Sequence, residues 1–503
     1  MRTPLGQIWR SRLEQTPAGP SLTDRIARML IAAIRARVLV PGSALPSSRE
    51  LAAELGVARN TAVAALERLV AEGLLESRPR SGFFVGETAG DAWPRSDPMV
   101  ALGELAAPVW GARFRLQPGR QRTLAKPLDW ERYRYPFVYG QVDPALFPHA
   151  EWRDCCDRAL RGHDAREALI DQVDRDDPLL VEQIRTRLLP RRGVWARDSE
   201  ILVTLGAQHA LYLVASLLAG RGTTVGIEDP CYPDARNIFA LFGARLRPLP
   251  IDAQGMRISH GLAGCDYLYL TPSHQCPTTV TMPIERRRAL IEFAAANDCV
   301  LIEDDFEPEA SYEGPPTPAL KSLDLAGRVV YVGSLSKTLA PGIRLGCVVG
   351  PTELIAELRR LRRLMLRHPP TAGQRALALF LAEGHLDSLA RRLRGIWRER
   401  ASRLATAIDH HLPDWSYTPP RGGSALWAQL PPDLDTDRLA ESASRHGALV
   451  EPGSVFFARA RDGRHGVRLG LSSIATERIE PGVIAIASAA ADARLVEPAS
   501  PPR

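Results

Sequence analysis

Lysine is the rarest basic residue of this chain, and its scarcity draws attention to the positions that keep it. Among 64 lysine and arginine residues, the lysines are Lys126, Lys321 and Lys337, and all others are arginines. Arginine stays protonated, whereas lysine can lose its proton and act as an amine nucleophile. Each lysine is therefore a candidate for covalent chemistry that arginine cannot perform.

Several polar or aromatic side chains follow short apolar runs after residue 220. A lysine, a carboxylate and an aromatic residue each come shortly after such a run: Lys337 after 329–332, Asp304 after 299–302 and Tyr232 after 223–227. Apolar runs of this length are typical of buried strands. Because ligands of open α/β sheets bind beyond the carboxyl ends of the strands, we expect these side chains to meet in one site.

A lysine, a carboxylate, an aromatic ring and a phosphate clamp are the groups that pyridoxal phosphate requires of a protein. The lysine amine forms a Schiff base with the aldehyde, and a buried carboxylate keeps the pyridine nitrogen protonated. An aromatic ring stacks on the pyridine face. Serine hydroxyls, an arginine and a helix amino terminus hold the phosphate. Each of these residues alone would be an ordinary core or surface residue, so their combination and order carry the prediction.

In this order, and in the seven-residue step from Lys337 to Arg344, residues 130–490 resemble the fold-type I aminotransferases. The resemblance implies that Lys337 is the Schiff-base lysine. It also implies that Asp304 pairs with the pyridine nitrogen and that Tyr232 stacks on the ring. The cofactor expected from the resemblance is pyridoxal 5'-phosphate.

The same resemblance implies a phosphate clamp and a site for an acid group. Arg468 stands where such enzymes bind a substrate carboxylate. Phe306 replaces a tyrosine, and Cys276 an asparagine, that in the enzymes contact the ring oxygen of the cofactor. Both changes weaken the tuning of the Schiff base and leave attachment intact, which favours a sensor over a fast catalyst. The residues expected to hold the phosphate are Gly206, Ala207, Gln208, Ser334, Ser336 and Arg344.

The pattern around these residues predicts the fold that positions them. Apolar β-type runs alternate with helical stretches, which indicates an α/β domain with a large, mainly parallel sheet. From about residue 353 the pattern changes to long helices, followed by short strands near 425–430 and 466–471. This part fits a small α+β lobe, as in a fold-type I aminotransferase-like domain.

The first 86 residues have a different pattern. Apolar residues recur at helical spacing over 21–37. Ser47 begins the next helix with a capping box, and Gly56 ends it. A further helix begins near Arg59, and a hairpin is predicted over 74–85. Two short helices followed by a hairpin indicate a winged helix-turn-helix.

The stretches 45–61 and 72–85 resemble the GntR-type winged helix-turn-helix, which implies binding to double-stranded operator DNA. Residues 1–90 hold 12 arginines and 8 acidic residues, so this fifth of the chain carries most of the net charge of +6. Ala58 departs from the family, which usually has a capping serine there. A helical protein-interaction module is the alternative, but helix amino termini, arginine and asparagine favour DNA. The candidates for DNA contact are Arg49, Arg59, Asn60, Thr61 and Arg80.

A proline-containing stretch separates the two patterns and predicts a linker. The expected domains are 1–86 for DNA binding, 87–130 for the linker and 131–503 for effector binding and dimerisation. Lys126 falls in this linker and Lys321 in a polar segment before a strand, so we expect both to be replaceable. Lys337 is the lysine where arginine would end the chemistry.

Bulk composition excludes several classes of protein. A hydrophobic content of 45% and a charged content of 24% fit a soluble globular chain of 503 residues. The chain lacks an apolar run of about 18 residues and an apolar signal-peptide core, so we expect a cytoplasmic protein without membrane partners. The seven cysteines are scattered without a Cys-x-x-Cys pair, which argues against a disulfide framework and a metal site.

Together the two patterns resemble the MocR family of bacterial transcription regulators (GabR-like). The family implies a homodimer that senses a small, amino-group-bearing, amino-acid-like metabolite through external aldimine formation at Lys337. Residues 139–148 and 176–180 look most like the ectoine-utilisation regulators (EnuR) of this family. The alternatives are an active aminotransferase with a DNA-binding head and a cofactor-free dimerisation scaffold. We expect a regulator rather than an enzyme, with weak residual transaminase activity allowed.

Overall fold

The computed structural model describes residues 5–17, 21–79, 81–86, 108–307, 311–312, 314–335 and 337–495. The chain divides into two compact units, Met1–Arg113 and Phe114–Arg503. Residues 87–107 of the predicted linker lie outside the described residues, whereas its last part, from Phe114 onward, belongs to the second unit. None of the helices in the described ranges is long and apolar enough to cross a lipid bilayer.

The first unit is a small helical domain with a two-stranded hairpin. Its elements are α1 (Leu5–Gln15), α2 (Leu22–Arg35), α3 (Ser48–Leu55), α4 (Arg59–Ala71), β1 (Leu75–Arg78), β2 (Gly82–Val85) and the short α5 (Trp110–Arg113). The Ser47 hydroxyl accepts from the Glu50 amide, and the Glu50 carboxylate accepts from the Ser47 amide. Gly56 ends α3 with φ +67°, a conformation that favours glycine. The predicted helices and hairpin are confirmed, and α1 was not predicted.

The second unit begins with helices and continues with alternating strands and helices. Its helices are α6 (His149–Ala159), α7 (Gly162–Leu169), α8 (Pro178–Gln183), α9 (Gly206–Leu218), α10 (Pro233–Leu241), α11 (Ile284–Ala296), α12 (Thr352–Leu366), α13 (Thr371–Ala382), α14 (His385–His411), α15 (Thr436–Arg445) and α16 (Ile479–Leu495). Its strands are β3 (Tyr135–Pro136), β4 (Ile201–Thr204), β5 (Thr224–Asp229), β6 (Arg245–Asp252), β7 (Gly255–Met256), β8 (Tyr267–Leu270), β9 (Val300–Asp305), β10 (Val329–Ser334), β11 (Gly346–Val349), β12 (Ser416–Tyr417), β13 (Ala425–Gln429), β14 (Ala448–Leu449), β15 (Glu451–Pro452) and β16 (Gly466–Gly470).

The large sheet runs in the order β4-β11-β10-β9-β8-β5-β6-β7 among the described residues. Its centre, from β10 through β9, β8 and β5 to β6, is parallel. The pairs of β11 with β10 and β4 are antiparallel, as is the pair of β7 with β6. Strands β4, β5 and β8 to β11 are buried along nearly their whole length, as expected for a sheet covered by crossover helices, whereas β6 buries only Leu249. The predicted α/β architecture with a mainly parallel sheet is confirmed.

The small lobe is built on an antiparallel sheet in the order β12-β13-β16-β15. In its register, Glu451 on β15 lies directly opposite Arg468 on β16. The long α14 and the C-terminal α16 supply apolar side chains to the core beside this sheet. The predicted α+β lobe is confirmed, and its sheet brings Arg468 toward the large domain.

Candidate functional site

The carboxyl ends of the parallel strands open onto a cavity of about 290 Å³ in the second unit. This volume lies at the low end of the range for small-molecule sites. Most of the site residues predicted from the sequence line it together. The lining comprises Leu124, Lys126, Tyr139, Gly140, Ala207, Gln208, Tyr232, Asp234, Cys276, Asp304, Phe306, Ser334, Lys337, Pro341, Arg344 and Arg468.

Lys337 lies just beyond the end of β10, and its amine faces a ring at the wall of the cavity. The Nζ atom is 4.4 Å from the ring centroid of Tyr139. Burial lowers the pKa of Lys337 to about 8, and the nearby Glu307 carboxylate opposes this shift. An amine with such a pKa is unprotonated in a useful fraction near neutral pH and can attack a carbonyl carbon.

Asp304, near the end of β9, supplies the most informative atom of the site. Its Oδ2 accepts a hydrogen bond of 2.8 Å from the Tyr269 hydroxyl. Its Oδ1 is buried and has no hydrogen-bond partner among the described residues. Burial raises the pKa of Asp304 to about 7. A protonated pyridine nitrogen would satisfy the open oxygen, so the carboxylate and the lysine both fit pyridoxal phosphate.

The guanidinium of Arg344 lies against the start of α9. Gly206 opens this 13-residue helix with φ +79°, and a Cβ at that position would lie 3.4 Å from the Arg344 guanidinium. The Nη2 of Arg344 also donates to the Leu205 carbonyl over 3.2 Å. Ser334 ends β10 at the same cavity. Free amides of the first helical turn, an arginine and a hydroxyl suit a phosphate group. Ser336 lies outside the described residues.

Tyr232 follows β5 and lies at the cavity wall with its hydroxyl anchored. The hydroxyl donates to Oδ2 of Asp234 over 3.2 Å, and Nε2 of Gln208 donates to the same oxygen over 3.2 Å. These bonds fix the ring in the cavity, as stacking on a flat ligand requires.

Arg468 lies at the cavity in a buried ion pair. Its Nε donates to Oε2 of Glu451 over 2.7 Å. Its guanidinium carbon lies 4.3 Å from the Tyr139 ring centroid and 4.6 Å from that of Phe456. The sequence predicted that Arg468 binds the carboxylate of a small molecule. It did not predict that the Glu451 carboxylate already occupies the Nε edge of the guanidinium.

The two departures from the enzymes also lie at the cavity. The ring of Phe306 meets the ring of Tyr139 edge-on at 6.2 Å. Burial raises the pKa of the Cys276 thiol to about 11, so it stays protonated at neutral pH. Its Sγ lies 3.5 Å from Nη1 of Arg468. Neither side chain offers more than a weak hydrogen bond to a ligand oxygen.

Lys126 falls within the predicted linker but belongs to the second unit. It lines the cavity, its amine lies 3.3 Å from Oε1 of Glu451, and it donates a hydrogen bond to the Tyr139 carbonyl. Two hydrogen bonds hold the segment 121–126 to the rest of the second unit: Nε2 of Gln121 donates to the Asn237 carbonyl over 3.0 Å, and Nδ2 of Asn237 donates to the Arg122 carbonyl over 2.9 Å. The spacing of residues in the sequence could not show that Lys126 lies in the cavity. The rarity of lysine in this chain was the one signal that pointed to it. Lys321, by contrast, pairs with Asp324 outside the cavity.

The first unit presents its predicted DNA-contact residues at the starts of two helices. Arg49 lies in the first turn of α3, and Arg59, Asn60 and Thr61 form the first turn of α4. All but the partly buried Thr61 are exposed. Ala58 provides no side-chain cap, but its carbonyl accepts from the Thr61 amide over 3.0 Å. Helix geometry therefore leaves the amides of Arg59 and Asn60 to face an anion. Arg80 lies outside the described residues.

Comparison with known proteins matches both units to families. Residues 22–85 match the family of bacterial regulatory proteins, gntR family, and residues 176–483 match aminotransferase class I and II. The chain is 43% identical to the HTH-type transcriptional regulator TauR of Rhodobacter capsulatus, over 93% of this chain and 96% of that protein. It is 31% identical to the probable rhizopine catabolism regulatory protein MocR of Rhizobium meliloti, over 92% and 93%.

A solved structure extends the likeness to the second unit's fold. The α-aminoadipate aminotransferase LysN of Thermus thermophilus, complexed with N-(5'-phosphopyridoxyl)-L-leucine, superposes with a TM-score of 0.69. It is 28% identical and covers 76% of this chain and 98% of its own. The chain therefore belongs to the MocR-type family of GntR transcriptional regulators, in which a winged helix-turn-helix precedes a fold-type I aminotransferase-like domain.

Proposed function

We propose that this regulator binds pyridoxal 5'-phosphate and senses a small amino-group-bearing metabolite, changing its affinity for operator DNA in response. One observation carries the proposal: Asp304, whose buried Oδ1 has no hydrogen-bond partner in the described part of the chain, lines the same cavity as Lys337. An unsatisfied buried carboxylate is costly unless a ligand completes it. The protein is proposed to act in the cytoplasm as a homodimer.

When bound, the cofactor supplies an aldehyde carbon that exchanges one amine for another and a ring that withdraws electrons. Lys337 would hold that carbon through its amine, and Gly206, Ser334 and Arg344 would hold the phosphate. Tyr232 would lie against the ring, and Asp304 would keep a proton on the ring nitrogen. Arg468 would orient the acid group of an effector whose amine competes with Lys337 for the same carbon.

A working aminotransferase is the second candidate, because Lys337 and Asp304 are both present. Phe306 and the protonated Cys276 argue against rapid turnover, because they offer at most a weak hydrogen bond to the ring oxygen of a bound cofactor. Sensing requires only that effector binding favours one conformation of the protein, so it makes smaller demands on the site than catalysis.

The test combines spectroscopy, product assay and DNA binding on one preparation. The purified chain is titrated with pyridoxal phosphate, its absorbance is recorded, amino acids are added, and keto acid and DNA binding are then measured. We expect visible absorbance that changes with an effector, together with altered DNA binding and without catalytic quantities of keto acid. Repeated turnover would favour the enzyme, and lack of absorbance would favour a cofactor-free scaffold.

The ectoine-utilisation subgroup remains a proposal about the effector. It rests on the stretches 139–148 and 176–180, and it would make an amino-group-bearing breakdown product of ectoine the ligand. Two residues of these stretches make structural contacts away from the cavity: Asp143 pairs with Arg400, and Asp177 caps α8. Tyr139 and Gly140 do line the cavity. Titration with amino acids from this route, read by cofactor absorbance, tests the subgroup.

A further inference from the structure

The cavity contains more positive charge than its proposed cofactor requires. Four cationic side chains line it: Lys126, Lys337, Arg344 and Arg468. Lys337 is assigned to the cofactor carbon and Arg344 to the phosphate. Lys126 and Arg468 therefore remain for another ligand group.

Glu451 holds these two remaining cations beside each other. Its Oε2 accepts from Nε of Arg468 over 2.7 Å, and its Oε1 lies 3.3 Å from Nζ of Lys126. Oε1 also accepts from the Tyr139 amide over 3.1 Å. Glu451 is only 2% exposed, so it is a fixed anchor. One carboxylate shared by two cations leaves one positive charge uncompensated in a poorly hydrated place, which favours the binding of an anion.

The amine of Lys126 also lies next to the proposed reaction centre. A Cβ at Gly140 would lie 2.7 Å from Nζ of Lys337 and 3.7 Å from Nζ of Lys126, so both amines border the same small space. A side chain at position 140 would clash with the Lys337 amine, so the glycine lets that amine lie against the backbone. The two amines are therefore close enough for one small ligand to contact both.

Arg468 is prepared for the same ligand. Its guanidinium lies between the rings of Tyr139 and Phe456, and Glu451 occupies its Nε edge. Its Nη1 lies 3.5 Å from Sγ of Cys276, which itself lines the cavity. A guanidinium clamped by rings and one carboxylate loses little freedom when it binds a planar acid group.

We propose that Lys126 is a second effector-binding residue, which takes the acid group of the effector together with Arg468. The inference rests on the proposed function and narrows it: the effector is a small amine that carries an oxyanion group. Its size follows from the cavity of about 290 Å³, part of which the cofactor fills. Lys126 belongs to the segment that enters the second unit after Phe114, so effector contact is made by the stretch of chain that leads from the first unit.

The test uses stable adducts of the cofactor and an amine, so it does not depend on knowing the natural effector. The full chain, freed of cofactor, is titrated calorimetrically with N-(5'-phosphopyridoxyl) adducts of glycine, 3-aminopropanoate and 4-aminobutanoate. Each is compared with the adduct of the alkylamine of equal carbon number: ethylamine, propylamine or butylamine. The ratio of the two affinities isolates the contribution of the carboxylate.

For at least one chain length, we expect the carboxylate to improve the affinity of the wild-type protein about tenfold or more. Lys126→Gln should remove most of this ratio, and Lys126→Arg should retain much of it because the charge remains. Glu451 keeps Arg468 as a partner in these variants, so the fold should survive. Lys321→Gln removes the same charge outside the cavity and should leave the ratio unchanged.

Two results would overturn the inference while leaving the cofactor site intact. One is that both adduct types bind the wild type equally at every length. The other is that Lys126→Gln weakens both types by the same factor, as a purely structural role would do. If neither type binds the wild-type chain, the proposed cofactor site itself is contradicted, and the inference is contradicted with it.

Discussion

The two units display their candidate binding residues in opposite ways. In the first unit, Arg49, Arg59 and Asn60 are exposed at the starts of helices. In the second unit, Asp304 and Arg468 are 3% and 4% exposed, inside a cavity. Both sets are polar, but the first lies in the first turns of helices and the second lies on strands. They differ in desolvation: folding removes the charged groups of the cavity from water, whereas the residues of the helices stay hydrated.

This difference predicts how each region responds to substitution. Exposed charges interact weakly with their neighbours and contribute one by one to a polyanion's affinity. Buried charges are coupled, so removal of one leaves its partner buried without a counter-charge. A buried site can therefore be necessary for function and still lower the stability of the fold. We therefore expect all-or-none effects in the cavity and graded effects on the helical face.

The largest expected effect is the loss of covalent cofactor on replacing Lys337 with alanine. Lys337→Ala should abolish borohydride-reducible attachment of the cofactor, since neither Lys126 nor Lys321 lies at the position of its amine. Mass spectrometry of the reduced protein measures this, with Lys321→Ala as the control. Attachment at Lys126 in the variant would contradict the assignment, because it would make the two neighbouring amines interchangeable.

Asp304→Asn should lower the affinity for the cofactor and raise the stability of the cofactor-free protein. We expect cofactor affinity to fall by about tenfold or more, because an amide does not hold a proton on the ring nitrogen. The pKa of the Asp304 carboxyl is raised from its ordinary value of 3.8 to about 7, so the charged form is disfavoured in the folded chain. The cofactor-free wild type therefore loses stability as pH rises through this window, and the variant does not.

Thermal unfolding of both cofactor-free proteins at several pH values measures this second effect. The variant's advantage should grow from about pH 4 to about pH 7, reach roughly 1–3 kcal/mol and then level off. A variant that is less stable than the wild type at neutral pH would show that Asp304 supports the fold as well as the ligand, and would weaken the contrast between the two units.

Local signals in the sequence predicted much of both units. Ser47, Glu50 and Gly56 mark helix ends through contacts within a few residues, so the helices of the first unit followed from them. The apolar strand runs and Asp304 followed from the same kind of local pattern. Lys126 and Glu451 could not be placed, because their meeting depends on residues 121–126 folding back onto β15, more than 300 positions along the chain. Contacts between residues so far apart in the chain produce no periodic pattern in the sequence.

The pH dependence of cofactor attachment separates the buried amine from an exposed one. Burial lowers the pKa of Lys337 to about 8, and only the unprotonated amine attacks the aldehyde. The attachment rate should rise about tenfold from about pH 7 to about pH 9 and then level off. Stopped-flow absorbance measures it, with N-acetyl-lysine as an exposed reference. If the protein's rate keeps rising in parallel with the reference, the pKa of Lys337 is not lowered.

Arg59→Ala tests the graded behaviour expected of the first unit. Removal of one exposed arginine at the start of α4 should weaken binding to a DNA fragment by about tenfold and reduce the salt slope by about one. Fluorescence anisotropy at several salt concentrations measures both quantities. Cofactor absorbance should stay unchanged. Arg28→Ala, an exposed arginine on α2, is the matched control, and an equal effect of the two variants would remove Arg59 from the interface.

The smallest expected effect comes from supplying the cap that α4 lacks. Ala58 has the extended backbone of an N-cap residue, with φ −64° and ψ 140°, but its side chain makes no capping bond. Ala58→Ser should stabilise the helix by about 1 kcal/mol, because the hydroxyl can accept from an amide of the first turn. Hydrogen exchange of the α4 amides in the full chain should slow about fivefold. Ala64→Ser, exposed within the same helix, should not slow it. Because the added hydroxyl lies far along the chain from the cavity residues and buries no charge, cofactor affinity should not change. A change would show that the stability of the first unit is coupled to cofactor binding in the second.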